Sequence, residues 1–161
     1  MKKLLALLVS LAFVFALTAC GEEVEEGDFT PGVHTGYSIG TDNGTGKSVA
    51  TTATLFVNEN GVIDYAFIDV VYPSGDETDG YTYTTKHALE DDYGMKGASP
   101  IGLEWYEQSL ALGEAIVEEQ GWPGDIEDGY FAEDEDVYAS VTIRVTSYKA
   151  AFDDAMEQAT E

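Results

Sequence analysis

The sequence predicts one α+β domain, with packed helices on a small, mainly antiparallel sheet, behind an N-terminal leader. Strand-type segments come first, helical patterns lie between, and a further strand and helix close the chain, an order typical of α+β folds. Asn60-Gly61 separates two runs rich in β-branched and aromatic residues, which favours a β-hairpin. Apolar residues within 101–120 recur with the 3.6-residue period of a helix. Roughly 130 residues follow the leader and suit one core.

The leader has the order of a lipoprotein signal peptide, which we place at residues 1–19. Lys2 and Lys3 precede a mostly apolar run over residues 4–17, and the run ends in Leu17-Thr18-Ala19-Cys20. Cleavage before Cys20, the chain's only cysteine, would leave a lipid on its sulfur. The run is also shorter than the roughly 20 residues that a membrane helix needs. We therefore expect a protein anchored by lipid to the outer face of a bacterial cell membrane.

The composition restricts the partners. Residues 20–28 form an acidic tether, and residues 29–161 form the domain. Two of the 7 Lys+Arg lie in the leader, so the mature chain has 5 against 31 Asp+Glu, a formal charge of 5 − 31 = −26. Such a surface repels polyanions and excludes nucleic-acid binding, which depends on Lys and Arg at phosphates. The acidity by itself predicts only a soluble, non-adhesive surface.

The first half of the domain is predicted to be β-structure. A strand over 33–39 is followed by a glycine-rich turn over 40–46. The hairpin arms are 49–57 and 62–72, and Pro73-Ser74-Gly75-Asp76 is expected to end the second arm. The stretch to Gly80 is predicted as an acidic loop.

The second half is predicted to contain three helices and a strand. A helix over 86–95 breaks near Gly94, and Ser99-Pro100 marks the next helix start, with Ser99 as its cap. Its apolar face should pack on the sheet, and it consists of two neighbouring rows, Trp105, Ser109, Leu112 and Ile116 with Leu103, Tyr106, Leu110 and Val117. An acidic loop over 125–136, an alternating strand over 137–145 and a helix over 148–159 complete the domain.

Several functional motifs are only approximated. The segment Gly40 to Ser48 has five residues, not four, between its first glycine and Gly46-Lys47-Ser48, so a phosphate-binding loop is not expected. The two histidines, His34 and His87, have no second ligand at zinc spacing. The acidic loops do not fit the EF-hand pattern, which leaves open only a loose association with calcium.

Three segments together resemble one family. Near the C-terminus an Asp stands six residues before a Thr, in Asp136-Val137-Tyr138-Ala139-Ser140-Val141-Thr142, and Thr146-Ser147 follow. The block 91–108, the opening strand at Gly36-Tyr37 and the closing segment 142–159 extend the likeness over roughly residues 29–160. These segments resemble the FMN-binding domain family, whose attachment motif is of the type Ser-Gly-Ala-Thr. The similar branch is that of surface lipoproteins of the extracellular electron transfer and pheromone types.

The resemblance implies a flavoprotein that relays electrons from a quinone-linked membrane donor to external acceptors. In the family an FMN transferase joins the phosphate of FMN to the Thr hydroxyl, and Thr142 is the matching position. The resemblance also implies roles near the cofactor for Asp136, Ala139, Ser140, Val141, Met95, Ser99 and Trp105, with Tyr93 and Tyr106 as further candidates for ring stacking. The family's Gly and Ala before the acceptor are Ser140 and Val141 here, which add bulk beside the hydroxyl.

Two alternatives without redox chemistry remain open. One is a lipoprotein whose signal peptide releases an apolar pheromone from residues 12–19. The other is a surface binding module that retains the fold without flavin. In both, Thr142 would be an ordinary residue of a strand. A flavin that stays on the denatured protein would distinguish the first interpretation from both alternatives.

Overall fold

The computed structural model describes residues 26–42 and 44–161. The leader, Cys20 and most of the tether, on which the predicted signal peptide and lipidation fall, lie outside the described residues. The strands and helices are β1 Gly32–Thr41, β2 Ser48–Val57, β3 Ile63–Asp76, β4 Gly80–Thr85, α1 Lys86–Leu89, α2 Trp105–Glu119, β5 Ile126–Glu127, β6 Tyr130–Phe131 and α3 Thr146–Ala159. Two 3-10 helices, Glu90–Tyr93 and Asp136–Ala139, follow α1 and precede α3.

The main sheet is an antiparallel meander in the order β1-β2-β3-β4. The predicted α+β class is therefore confirmed. The β2–β3 hairpin turns at Asn60-Gly61, where Gly61 has a φ of 78°, as the Asn-Gly signal indicates. The glycine-rich segment after β1 closes a second hairpin, in which Thr41 pairs with Ser48.

Helices α2 and α3 pack against the sheet and complete the hydrophobic core. Helix α3 lies against β1 and β2 at Gly36, where an added Cβ would stand 2.1 Å from the carbonyl oxygen of Ala151. Helix α2 lies along β3 in the same way, and a Cβ on Gly113 would stand 2.4 Å from the Ala66 carbonyl oxygen. Of the predicted apolar face of α2, the row Trp105, Ser109, Leu112 and Ile116 is buried, whereas in the neighbouring row Leu103, Tyr106 and Val117 are partly buried and Leu110 is exposed.

Side chains of α2 and of the residue that ends it satisfy the unpaired edge of β3. Ser109 Oγ donates to the Ile68 carbonyl at 2.7 Å. Gln120 at the end of α2 accepts from the Ile63 N–H at 2.7 Å and donates to the Ile63 carbonyl at 3.0 Å. These bonds replace a neighbouring strand and keep the edge from templating another chain. Among the described residues, no helix has the length and hydropathy to cross a membrane.

The predicted strand over 137–145 is wrong. Residues 136–139 form a 3-10 helix, and the segment after it is irregular. Val141, Ile143 and Val145 are buried in alternation, which produced the strand-like pattern. Their segment has no partner strand, since the Thr142 N–H donates to a side chain and the Val145 N–H to the Gly129 carbonyl.

Three other boundaries also differ from the sequence predictions. β3 continues through Pro73 to Asp76 and pairs with β4, because Pro73 lies beyond the last β2–β3 pair and a strand paired on one side tolerates proline. The expected loop over 125–136 contains the short strands β5 and β6. Helix α2 starts at Trp105, so Ser99 does not cap it. The N-cap is Glu104, whose N–H donates to Glu107 Oε2 at 2.7 Å.

Candidate functional site

A cleft runs along one side of the domain where β1, β3, α2 and the start of α3 converge. It consists of two adjoining cavities of about 540 and 320 Å³. Both cavities are lined by Lys86, Tyr93, Arg144 and Tyr148. Volumes of this size are typical of small-molecule and cofactor pockets.

Thr142 lies on the wall of the smaller cavity, held by one side chain of α2. Its backbone N–H donates to Gln108 Oε1 at 2.8 Å, and its Oγ1 donates to the same oxygen at 3.2 Å. Gln108 is completely buried, whereas Thr142 is partly exposed. The amide therefore fixes both the backbone and the hydroxyl of Thr142 at the cleft wall.

The other end of Gln108 organises the opposite wall. Its Nε2 donates to Ser99 Oγ at 3.1 Å and to the Leu103 carbonyl at 3.3 Å. Ser99 and Met95 line the same cavity as Thr142. Met95 is held in place by buried Glu104, whose Oε2 accepts from the Met95 N–H at 2.7 Å. One buried amide thus joins the loop before α2 to the segment before α3.

Trp105 contributes to the floor of the cleft from the core. It is 1% exposed, and its Nε1 donates to Tyr148 Oη at 2.8 Å. Burial raises the pKa of Tyr148 above the ordinary tyrosine value, so its hydroxyl stays protonated near neutral pH. The structure therefore shows Trp105 in a packing role. A planar ligand in the cleft could stack only on a ring that is more exposed.

Lys86 lies at the junction of the two cavities among three aromatic rings. Its Nζ is 4.6 Å from the ring centroid of Tyr93, 5.2 Å from that of Trp105 and 5.5 Å from that of Tyr72. Such contacts stabilise a cation by roughly 0.5–2 kcal/mol each, which replaces water only in part. Burial lowers the pKa of Lys86 to about 8, against the opposing effect of the Asp42 and Asp69 carboxylates.

Tyr93, in the 3-10 helix after α1, lines both cavities, as does the more deeply buried Tyr148. Burial raises the pKa of Tyr93 to about 12. Its ring is only partly buried, and it meets Tyr72 edge to face at 5.5 Å between centroids. Tyr93 is thus better placed than Trp105 to meet a planar ligand.

Several residues singled out by the sequence lie elsewhere. Asp136 and Ser140 line a separate cavity of about 300 Å³ beside the acidic face of α2. Ala139 is exposed, and Tyr106 does not line the cleft. Val141 is completely buried in the core, so its extra bulk relative to the family's Ala does not crowd the accessible side of Thr142. Thr142, Met95, Ser99 and Trp105 are the members of the set that share one cavity.

Sequence reasoning missed Gln108, Lys86 and Arg144 as residues of the site. Gln108 carried a signal, since it is a long polar side chain on the helix face between Trp105 and Leu112, where the other polar residue is the small Ser109. The two cations also carried one, because residues 20–161 contain only 5 basic residues in all. Two of these five line the cleft.

The side chains that line the cleft fit the chemistry of FMN. A hydroxyl on its wall, two cations and a half-buried tyrosine suit a phosphate ester and a flat, polar ring. Over residues 26–42 and 44–161, no group of three or more His, Cys, Asp or Glu side chains is arranged to hold a metal ion. A search of protein-family models, of curated proteins and of solved structures finds no match.

Proposed function

We propose that this protein carries FMN as a phosphoester on Thr142 and relays electrons at the outer face of the membrane. The observation that carries the proposal is the placement of the Thr142 hydroxyl, which Gln108 holds on the wall of a cleft lined by aromatic and cationic side chains. The likeness to the FMN-binding domain family led to the same hydroxyl independently of the cleft.

Attachment requires an FMN transferase with FAD as the donor. Thr142 Oγ1 would bond to the FMN-side phosphorus, the pyrophosphate bond would break, AMP would leave, and the hydroxyl proton would be released. The hydroxyl already donates to Gln108 Oε1, so this amide would orient it for that attack. Thr142 is partly exposed, which gives an enzyme access to it.

The remaining residues of the cleft would hold the cofactor by charge and shape. Arg144 lies two residues beyond Thr142, and its guanidinium suits a phosphate. Tyr93 and Tyr72 would contact the ring in the larger cavity. The flavin, when bound, supplies the electron-transfer chemistry, and the protein supplies position and field.

A covalent link would keep the flavin on a protein that faces the medium. A freely dissociating flavin at an outer surface is lost to the medium, whereas a tethered one keeps a high effective concentration. The predicted signal peptide and the lipid on Cys20 would place the domain there, within reach of a quinone-linked donor in the membrane.

The test is whether colour survives denaturation. We would produce the mature domain together with an FMN transferase in the secretory compartment of a host, then denature, dialyse and record the visible spectrum. We expect flavin absorbance in the wild-type protein and none in Thr142→Val. Thr52→Val, an equal change on a strand facing away from the cleft, should keep the absorbance.

Colourless wild-type protein would overturn the proposal. A coloured Thr142→Val protein would place the flavin at another residue. In the first case the interpretation as a tethered binding module without redox chemistry would replace it.

A further inference from the structure

Lys86 is a cation in the interior of the cleft without an ionic partner. Among residues 26–42 and 44–161, the ion pair that forms is Lys149 with Asp153 on the exposed side of α3. The carboxylates of Asp42, which lines the larger cavity with Lys86, and of Asp69 act on Lys86 by charge but lie beyond ion-pair distance. A partly buried charge that three rings solvate incompletely is unfavourable unless something else compensates it.

The position of Lys86 indicates what could compensate it. Lys86, Tyr93 and Arg144 line both cavities, whereas Thr142 lines the smaller but not the larger and Tyr72 lines the larger but not the smaller. A group tethered at Thr142 that extends into the larger cavity would pass the side chains that both cavities share, Lys86 among them. Arg144, close to Thr142 in the chain, is available for the phosphate. Lys86 lies against Tyr72 and Tyr93, which line the larger cavity, so it is the cation placed for the other end of the ligand.

We infer that Lys86 is the charge partner of the flavin ring and favours its negatively charged reduced form over its neutral oxidised form. This inference rests on the proposed function. The oxidised ring gains two electrons from the quinone-linked donor and one proton from water, and the product carries one negative charge. An ammonium group beside that charge stabilises the product and leaves the neutral ring nearly unaffected.

The surroundings of Lys86 make its charge effective. Tyr72, Tyr93 and Trp105 cover part of the surroundings of its Nζ, so the field of the ammonium is less screened than at the surface. Burial lowers the pKa of Lys86 to about 8, and a negative group in the cleft would raise it again.

The experiment compares three variants of the flavinylated protein, Lys86→Met, Lys86→Arg and Lys96→Met. Lys86→Met removes the charge and keeps an unbranched apolar chain, Lys86→Arg keeps the charge, and Lys96 is an exposed control. The midpoint potential of the flavin is measured at one ionic strength. We expect Lys86→Met to weaken the reduced form about tenfold relative to the oxidised form, a fall of ~30 mV for a two-electron couple. Lys86→Arg and Lys96→Met should stay near the wild type.

A second measurement does not depend on whether a variant folds. In protein with ¹³C-labelled lysine, the NMR titration of Lys86 is recorded without flavin, with oxidised flavin and with reduced flavin. We expect the pKa of Lys86 to rise on reduction.

Each outcome decides the matter. An unchanged potential in Lys86→Met, or a Lys86 titration that ignores reduction, overturns the inference and leaves the flavin assignment intact. Wild-type protein without flavin overturns both.

Discussion

At the scale of single residues, the cleft depends on polar groups that are buried but satisfied. Gln108 uses both ends of its amide, accepting from Thr142 and donating to Ser99 and Leu103. A buried amide is stable only when such partners are present. Replacing it with an apolar side chain would orphan groups on two segments at once.

Replacing Gln108 by Leu should therefore lower both stability and flavin attachment. The partly buried N–H of Thr142 loses its acceptor, which costs about 1–3 kcal/mol. The Thr142 hydroxyl also loses its orientation, so attachment should slow about tenfold or more. Urea denaturation measures the first effect, and the rate of flavin incorporation measures the second.

Gln158→Leu is the matched control, because Gln158 is exposed. Its lost bonds to Thr35 and Asp154 can be replaced by water, so stability should change by less than about 1 kcal/mol. Normal attachment in a folded Gln108→Leu protein would refute an orienting role for this amide.

Lys86 predicts an unusual dependence of stability on pH. Its folded pKa of about 8 lies below the ordinary 10.5, so the unfolded chain binds more protons between these values. Stability should therefore rise as pH increases above about 8, by up to ~3 kcal/mol in flavin-free protein. Denaturation curves of wild type and Lys86→Met at increasing pH measure the difference between the two slopes. Parallel curves would show that Lys86 titrates normally.

Tyr93 and Tyr148 limit the pH range over which stability should rise. The pKa of Tyr93 is raised to about 12 and that of Tyr148 is also raised, both by burial. The contribution of these two raised pKa values to folding stability is complete below the ordinary tyrosine pKa of 10. It is lost as the pH rises towards the pKa of each tyrosine in the folded protein. The gain from Lys86 should thus be offset above about pH 10.

At the scale of elements, the contact between α3 and the sheet depends on one missing side chain. A Cβ on Gly36 would lie 2.1 Å from the Ala151 carbonyl oxygen and 2.3 Å from the Ala155 nitrogen. Gly36→Ala must push α3 away and should cost about 3 kcal/mol or more. Gly97→Ala is the control, because an added Cβ there meets nothing within 4 Å. Equal unfolding midpoints for the two variants would contradict this packing.

Local sequence signals were sufficient for some elements and not for others. The Asn60-Gly61 turn and the apolar face of α2 were predicted because turn chemistry and helical periodicity act within the element itself. The segment 137–145 was misassigned because alternating burial of Val141, Ile143 and Val145 needs a partner strand to become a strand. The sequence does not predict β4, because Pro73 favours an end to the second hairpin arm. The residues of β4 nevertheless pair with residues 71–76 of β3.

At the scale of the whole molecule, the formal charge of −26 expected after cleavage before Cys20 would oppose the reduced form of the proposed flavin from a distance. Exposed carboxylates are screened by salt, whereas Lys86 acts at short range within the cleft. Raising the ionic strength from about 0.01 M to about 1 M shortens the screening length from about 30 Å to about 3 Å. The flavin potential should therefore rise with salt in wild type and in Lys86→Met alike. A potential that ignores ionic strength would remove the acidic surface from the explanation.

The sequence predicted only those residues of the candidate site that belong to a recognisable motif. The spacing of Asp136 and Thr142 indicated Thr142 as the candidate attachment residue. The block 91–108 indicated Met95, Ser99 and Trp105, which line the same cavity. The convergence of Gln108, Lys86 and Arg144 depends on how α2, α1 and the segment before α3 pack together. Contacts of this kind join positions far apart in the chain, and no local pattern reports them.

The most direct test of the flavin assignment is the intact mass of the mature protein purified from its own host, followed by fragmentation of the peptide containing Thr142. We predict an added mass of one FMN less one water, carried on Thr142. An unmodified peptide across that position, in colourless protein, would contradict the assignment.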